Sequence, residues 1–199
     1  ALLTAPISLG ATASFPTAED APIALIADFK TGQILQAREA DRRFLPASVT
    51  KVMTTYLAFE MLASGRLKAN QVFTVSDQAF DDWSGTGSTM FLQRGENVTV
   101  DTLLHGITTV SANDGCIVLA QGAAGSVDRW VSLMNRTAHE LGMENIHLGS
   151  PNGRPDEGKT FTTARDLAKL AHAMITRHPD LYRRYVGQHG FAHNGITQV

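Results

Sequence analysis

The sequence predicts a mixed α+β fold on three observations. Two short apolar-rich runs meet at a glycine turn, most of the later chain carries apolar residues at helical spacing, and polar turn residues punctuate it. Residues 22–29 (PIALIADF) and 33–39 (QILQARE) flank Lys30-Thr31-Gly32, where the glycine suits a tight reversal, so a β-hairpin is expected. After Pro46, the segment Ser48 to Ser64 places Val52, Met53, Tyr56, Leu57, Phe59 and Leu62 at helical spacing, with Gly65 as its stop. This should be a mostly buried helix. Residues 77–97 show little periodicity, and Trp83-Ser84-Gly85-Thr86-Gly87-Ser88 has the composition of a loop, followed by apolar Met90-Phe91-Leu92. Helical patterns resume over 101–110, about 114–123 and 126–142, which leaves Ser111-Ala112-Asn113 between two helices. A polar stretch from Ser150 to Lys159 precedes a helix over Thr162 to Arg177, capped by Thr163 or its neighbour. The last twenty residues are short and mixed, and their end suits the start of a strand.

Composition narrows the function. Apolar residues make up 43% and charged residues 18%, which describes a globular chain able to bury a core without disulfide staples. Seventeen basic against nineteen acidic side chains give a net charge of -2, so no general field favours a phosphate backbone and nucleic acid is not an expected partner. The single Cys116 rules out an internal disulfide and a multi-cysteine metal site. It lies in an apolar run and reads as a small buried hydrophobe. No run approaches the roughly 20 apolar residues that span a bilayer. The opening residues 1–13 (ALLTAPISLGATA) are small and apolar and end in an A-x-A-like pattern, which reads as the remnant of a secretory signal and implies work outside the cytoplasm. A weakly packed N-terminus is the other reading.

The chemistry begins at Ser48-Val49-Thr50-Lys51. At a spacing of three on a helix, the hydroxyl and the amine share a face. An N-cap serine followed by a surface lysine is the plain alternative, but a capping box wants Glu or Gln at the third position, and a first-turn lysine faces the positive end of the helix dipole. Burial and the dipole both disfavour the ammonium form, which would let Lys51 act as a general base toward Ser48. Ser111 and Asn113 are common turn residues. Beside a Ser-x-x-Lys helix, a hydroxyl and an amide are also the groups that pass a proton to a leaving amine and hold a substrate amide. No histidine pair has the helical spacing with Glu of a zinc peptidase, and no G-x-S-x-G elbow occurs. Arg42-Arg43 and Arg183-Arg184 read as solvated surface pairs, and Trp83 and Phe91 as core or cleft wall.

The segment Pro46-Ala47-Ser48-Val49-Thr50-Lys51-Val52-Met53-Thr54 closely resembles the nucleophile motif of the serine D-alanyl-D-alanine carboxypeptidases, the low-molecular-mass penicillin-binding proteins. Further likenesses follow in the family's order. They are Ser88-Thr89-Met90-Phe91-Leu92 with Gly95, the S-x-N motif in Val110-Ser111-Ala112-Asn113-Asp114-Gly115-Cys116, Met134-Asn135 through Met143, Asn152-Gly153, and Phe161 to Ala168. The resemblance covers roughly 20–199. It implies the transpeptidase-like fold shared with β-lactamases, an antiparallel sheet packed by helices plus a helical lobe, with residues 14–199 as part of a catalytic domain. It implies Ser48 as nucleophile, Lys51 as base, Ser111 as proton relay and Asn113 as anchor of substrate and lysine. The backbone N–H of Ser48 would hold part of the oxyanion. The implied substrate is a peptidoglycan stem peptide ending in D-Ala-D-Ala, with β-lactams as covalent inhibitors and no cofactor. A cysteine near the second motif would let thiol reagents interfere sterically.

The family's third motif, Lys-Thr-Gly on a strand downstream of the other two, has no counterpart there. The literal Lys30-Thr31-Gly32 precedes Ser48 and is assigned to the hairpin turn, and Lys159-Thr160-Phe161 departs from the pattern. The ending Phe191 to Val199 resembles the segment just ahead of that motif, so the catalytic domain is expected to be partial and one face of the hairpin exposed. Any membrane attachment would come from a C-terminal anchor outside this sequence. The departure keeps three other readings open: a penicillin-recognising endopeptidase, a β-lactamase, and a non-catalytic wall-binding domain.

Overall fold

The computed structural model describes residues 17–199, and the segment read as a signal remnant lies outside them. Among the described residues seven α-helices and six short strands follow one another in a mixed α+β arrangement. The central helix α1 (Lys51–Ala63) is buried along most of its length, because its apolar residues recur on nearly every side rather than on one stripe. Around it pack α3 (Val100–Val110), α5 (Val127–Glu140) and α6 (Ala164–Arg177), while α4 (Asn113–Ala124) sits between α3 and α5. The core they enclose runs from Met53, Tyr56 and Phe59 through Leu103 and Leu104 to Leu119, Trp130 and Met134.

Local chemistry sets the helix ends. Thr163 caps α6 by accepting the Asp166 N–H at 3.1 Å, as its sequence position suggested, and Ser126 caps α5 by accepting from Arg129 N at 3.2 Å. In α5 the buried residues Trp130, Met134 and Ala138 recur every four positions, which puts them on one stripe. The opening helix begins differently from the expectation. Ala47–Thr50 form a 3-10 turn, and regular α geometry starts only at Lys51.

Strands β1 (Ala24–Ala27) and β2 (Ile34–Arg38) form the expected antiparallel hairpin. Its turn is built from Asp28, whose carboxylate accepts from the Thr31 N–H and hydroxyl, both at 2.7 Å, with Gly32 at φ 71°. Lys30-Thr31-Gly32 is thus a turn. Ile26, Ile34 and Leu35 of this hairpin are exposed. Among the described residues the strands form three separate two-stranded sheets rather than one sheet packed by helices. The second pairs β3 (Val72–Thr74) with β4 (Asn97–Thr99), and the third pairs β5 (Phe191–His193) with β6 (Ile196–Gln198).

Two elements correct the sequence reading. Asp77–Trp83, read as loop, form helix α2, capped by Ser76 and burying Ala79 and Trp83. Pro179–Tyr185, in the mixed tail, form α7, with proline in its first turn and Tyr185 buried. Of the two places expected for these residues, core or cleft wall, Trp83 takes the core, and Phe91, 40% exposed at φ 59°, lies outside it. Arg42 and Arg43 are exposed, yet Arg43 also stacks 4.3 Å from the Phe161 ring and donates to Asn145, so it is not merely solvated. Arg183 and Arg184 pair with Asp180 and Asp101.

Candidate functional site

The approach to Ser48 is fixed from outside the helix. Phe44 and Thr162 exchange backbone hydrogen bonds at 3.0 Å each, tying the chain ahead of Pro46 to the segment that leads into α6. Ala47 then takes a left-handed φ of 46°, an unfavourable conformation for a residue with a Cβ, and swings the chain into the 3-10 turn. Ser48 is left exposed on this turn, and its N–H finds no acceptor among the described residues. Three positions later Lys51 is only 4% exposed.

Lys51 Nζ donates to Ser48 Oγ at 2.8 Å and to the carbonyl oxygen of Asn152 at 3.0 Å. Burial pushes the Lys51 pKa below the ordinary lysine value. An ionised Cys116 would push the other way, but burial raises that thiol to about 12, so at neutral pH it carries no charge to favour the ammonium. Cys116 is fully buried on α4, consistent with its reading as a small hydrophobe, and direct access for a thiol reagent is closed.

Asn152 belongs to a loop that sequence reasoning gave no role. Pro151 accepts a hydrogen bond from the Thr54 hydroxyl at 2.7 Å, one turn beyond Lys51, and Gly153 lies against the back of Ala47 at φ 79°. A Cβ on Gly153 would stand 1.8 Å from the Ala47 carbonyl oxygen. The available signal was the turn composition Pro-Asn-Gly, which marks a reversal but not its neighbour.

Ser111 ends α3 in a left-handed conformation, φ 58°, which turns the chain at once into α4. It lines, with Ser48 and Lys51, one cavity of about 370 Å³ whose walls include Val52, Ile107 and Met174. The structure therefore brings three of the four expected residues together. Asn113 stands apart from that cavity wall at the first turn of α4. Its Nδ2 donates to the Thr86 carbonyl at 3.0 Å and its N–H to the Ser88 carbonyl at 2.8 Å, and it makes no hydrogen bond to Lys51. The buried carboxylate of Asp114 holds the same 88–92 segment, accepting from Met90 N at 3.0 Å, Leu92 N at 3.1 Å and Gly115 N at 2.9 Å. Burial raises its pKa against the pull of these three donors. An exposed hydroxyl next to a buried amine of lowered basicity, at the rim of an apolar cavity, is an arrangement for nucleophilic attack on a carbonyl.

Comparison with known proteins follows this geometry. The sequence model of a family described as D-alanyl-D-alanine carboxypeptidase matches residues 10–198. The chain is 35% identical over 183 residues to D-alanyl-D-alanine carboxypeptidase DacA of Escherichia coli strain K12, covering 90% of this chain and 45% of that protein. A crystal structure of penicillin binding protein 5 from Haemophilus influenzae superposes with a TM-score of 0.82 at 32% identity, over 87% of this chain and 50% of that one. The D-alanyl-D-alanine carboxypeptidase DacD from Francisella tularensis gives 0.78 at 37% identity, over 83% and 39%. The chain shares their fold, and it spans about half the length of the curated relatives it matches.

Proposed function

The chain belongs to the D-alanyl-D-alanine carboxypeptidase family, and from that premise we propose that the protein removes the terminal D-alanine of peptidoglycan stem peptides through an acyl-enzyme on Ser48. The observation that carries this reading is the 2.8 Å contact between Ser48 Oγ and the Nζ of a lysine that is 4% exposed. A neutral Lys51 takes the Ser48 proton as Oγ attacks the carbonyl between the two D-alanines. The Ser48 N–H, without an acceptor at the start of its turn, is one donor toward the developing oxyanion. Ser111, across the same cavity, is suited to hand a proton to the departing amine. Water then releases the acyl group, and β-lactams would acylate the same serine. Asn113 is assigned to holding the substrate amide.

Residues 14–199 are read as part of the catalytic domain, acting in the periplasm or on the outer face of the cytoplasmic membrane. Among the described residues no helix is long and apolar enough to cross a membrane. The test is the intact mass of the full-length protein after incubation with a penicillin, beside Ser48→Ala, together with release of D-alanine from a stem pentapeptide. A one-to-one adduct lost in the variant, with D-alanine released, is the expected result. Absence of any adduct would sink the acyl-transfer reading and favour a wall-binding domain. An adduct with cleavage only of cross-linked muropeptides would move the assignment to an endopeptidase, and rapid turnover of the penicillin to a β-lactamase.

A further inference from the structure

Asn113, assigned above to the substrate amide, is itself held by the 86–88 segment. Its Nδ2 rests on the Thr86 carbonyl and its N–H on the Ser88 carbonyl. The next peptide plane, between Thr89 and Met90, is gripped at both ends. Its N–H donates to Asp114 at 3.0 Å, and its carbonyl, on buried Thr89, accepts from Gln198 Nε2 at 3.1 Å. Among the described residues no other hydrogen bond reaches that carbonyl. A rigid plane held at one end can swing about that bond, and held at both ends its orientation is fixed. Resting on the acyl-transfer reading, we infer that Gln198 is a positioning residue, which sets Asn113 through this segment, and that a clamp at Glu96 keeps Gln198 in place.

Gln198 lies on β6, and a two-stranded hairpin of three residues a side is marginal in water without an anchor. Glu96, just ahead of β4, supplies one. Its Oε1 lies 2.6 Å from His193 Nε2, while its Oε2 accepts from Asn194 Nδ2 at 3.0 Å and from the Gln93 N–H at 2.7 Å. The Glu96 and His193 side chains are only 16% and 15% exposed, so water competes weakly for this contact. His193 stacks on buried Phe191 at 5.9 Å, and Phe191 stands directly opposite Gln198 in the hairpin register. Directly opposed residues and residues two apart share a face, so Phe191, His193 and Gln198 form one row. The clamp at one end of that row therefore fixes the reach of Gln198 at the other. Ser48 and Lys51 stand outside this chain of contacts, because their geometry depends on the Asn152 loop.

The experiment compares two probes on the full-length protein, each in excess. Benzylpenicillin presents a side-chain amide to Asn113, and 6-aminopenicillanic acid is the same bicycle with a free amine in its place. Gln198→Ala should slow acylation by benzylpenicillin about tenfold and leave acylation by 6-aminopenicillanic acid nearly unchanged. His193→Ala should show the same selective loss, and His193→Gln, which keeps a donor for Glu96, should restore most of the rate. A residue with a merely structural role would lower both rates together, as would partial loss of fold. Equal losses for the two probes, or benzylpenicillin acylation unchanged in both alanine variants, overturn the inference and leave acyl transfer standing. Failure of benzylpenicillin to acylate the wild type overturns the acyl-transfer reading and this inference with it.

Discussion

Replacing Gly153 by alanine is expected to disable the site without touching any reacting atom. The new methyl carbon would fall 1.8 Å from the Ala47 carbonyl oxygen and 2.5 Å from its carbon, both of them backbone atoms with no rotamer to turn away. The position also has φ 79°, where an L-residue costs about 1–2 kcal/mol. Relief requires the loop and the 3-10 turn to part by an ångström or more. That movement strains the 3.0 Å bond from Lys51 to Asn152 and the 2.7 Å bond from Thr54 to Pro151. A buried polar group left without its partner costs about 1–3 kcal/mol, so the combined loss of stability should be about 2–5 kcal/mol. A displacement of this size at a reacting pair costs about a hundredfold in rate. Urea unfolding and the rate of acylation by a fluorescent penicillin measure the two effects on the full-length protein. Acylation of Gly153→Ala within a few-fold of wild type would refute the argument that the loop sets the position of Lys51.

Further outcomes are expected. Because burial lowers the Lys51 pKa, the acylation rate should climb with pH through that value and level off below the 10.5 of a free lysine. The stability linked to the neutral amine is full above the unfolded value and lost as pH falls through the folded one. Lys51→Arg, charged at every accessible pH, should show no acylation at any point of the same profile. Asp114→Asn turns one acceptor oxygen into a donor facing a backbone N–H, so unfolding in urea should show a loss of about 1–3 kcal/mol; wild-type stability would count against the carboxylate as the anchor of the 88–92 segment. Cys116 should resist an aromatic disulfide reagent in the native protein and react once urea opens the core, and fast native labelling would contradict its burial.

The sequence made the helical body legible because its cues are local. Gly65 and Gly142 close their helices and Thr163 opens α6, each through a conformation or side chain readable within a few residues. The Ser-x-x-Lys pair was legible for the same reason. Helix α2 was missed although Ser76 and Asp77 are good starting residues, because Ser84 to Ser88 extended the loop signal across a seven-residue helix. Strands β3 and β4 are three residues each and gain their shape from pairing across the chain, which no period-two pattern of that length can announce. Asn152 escaped for a related reason. Its contribution is a backbone carbonyl, identical in every residue type, and its position comes from the close approach at Gly153 rather than from its side chain.

The bond from Lys51 to the Asn152 carbonyl joins residues 101 positions apart. Closing so long a loop costs chain entropy that must be met before the contact rewards it. In the unfolded polypeptide Lys51 is an ordinary solvated ammonium and Ser48 an ordinary alcohol. On the proposed mechanism the reactivity of Ser48 is therefore conferred when the loop docks rather than carried by the tetrapeptide, so the unfolded chain is expected not to react with acyl donors. On that reading, acquisition of a reactive serine reports that the Asn152 loop has docked against α1.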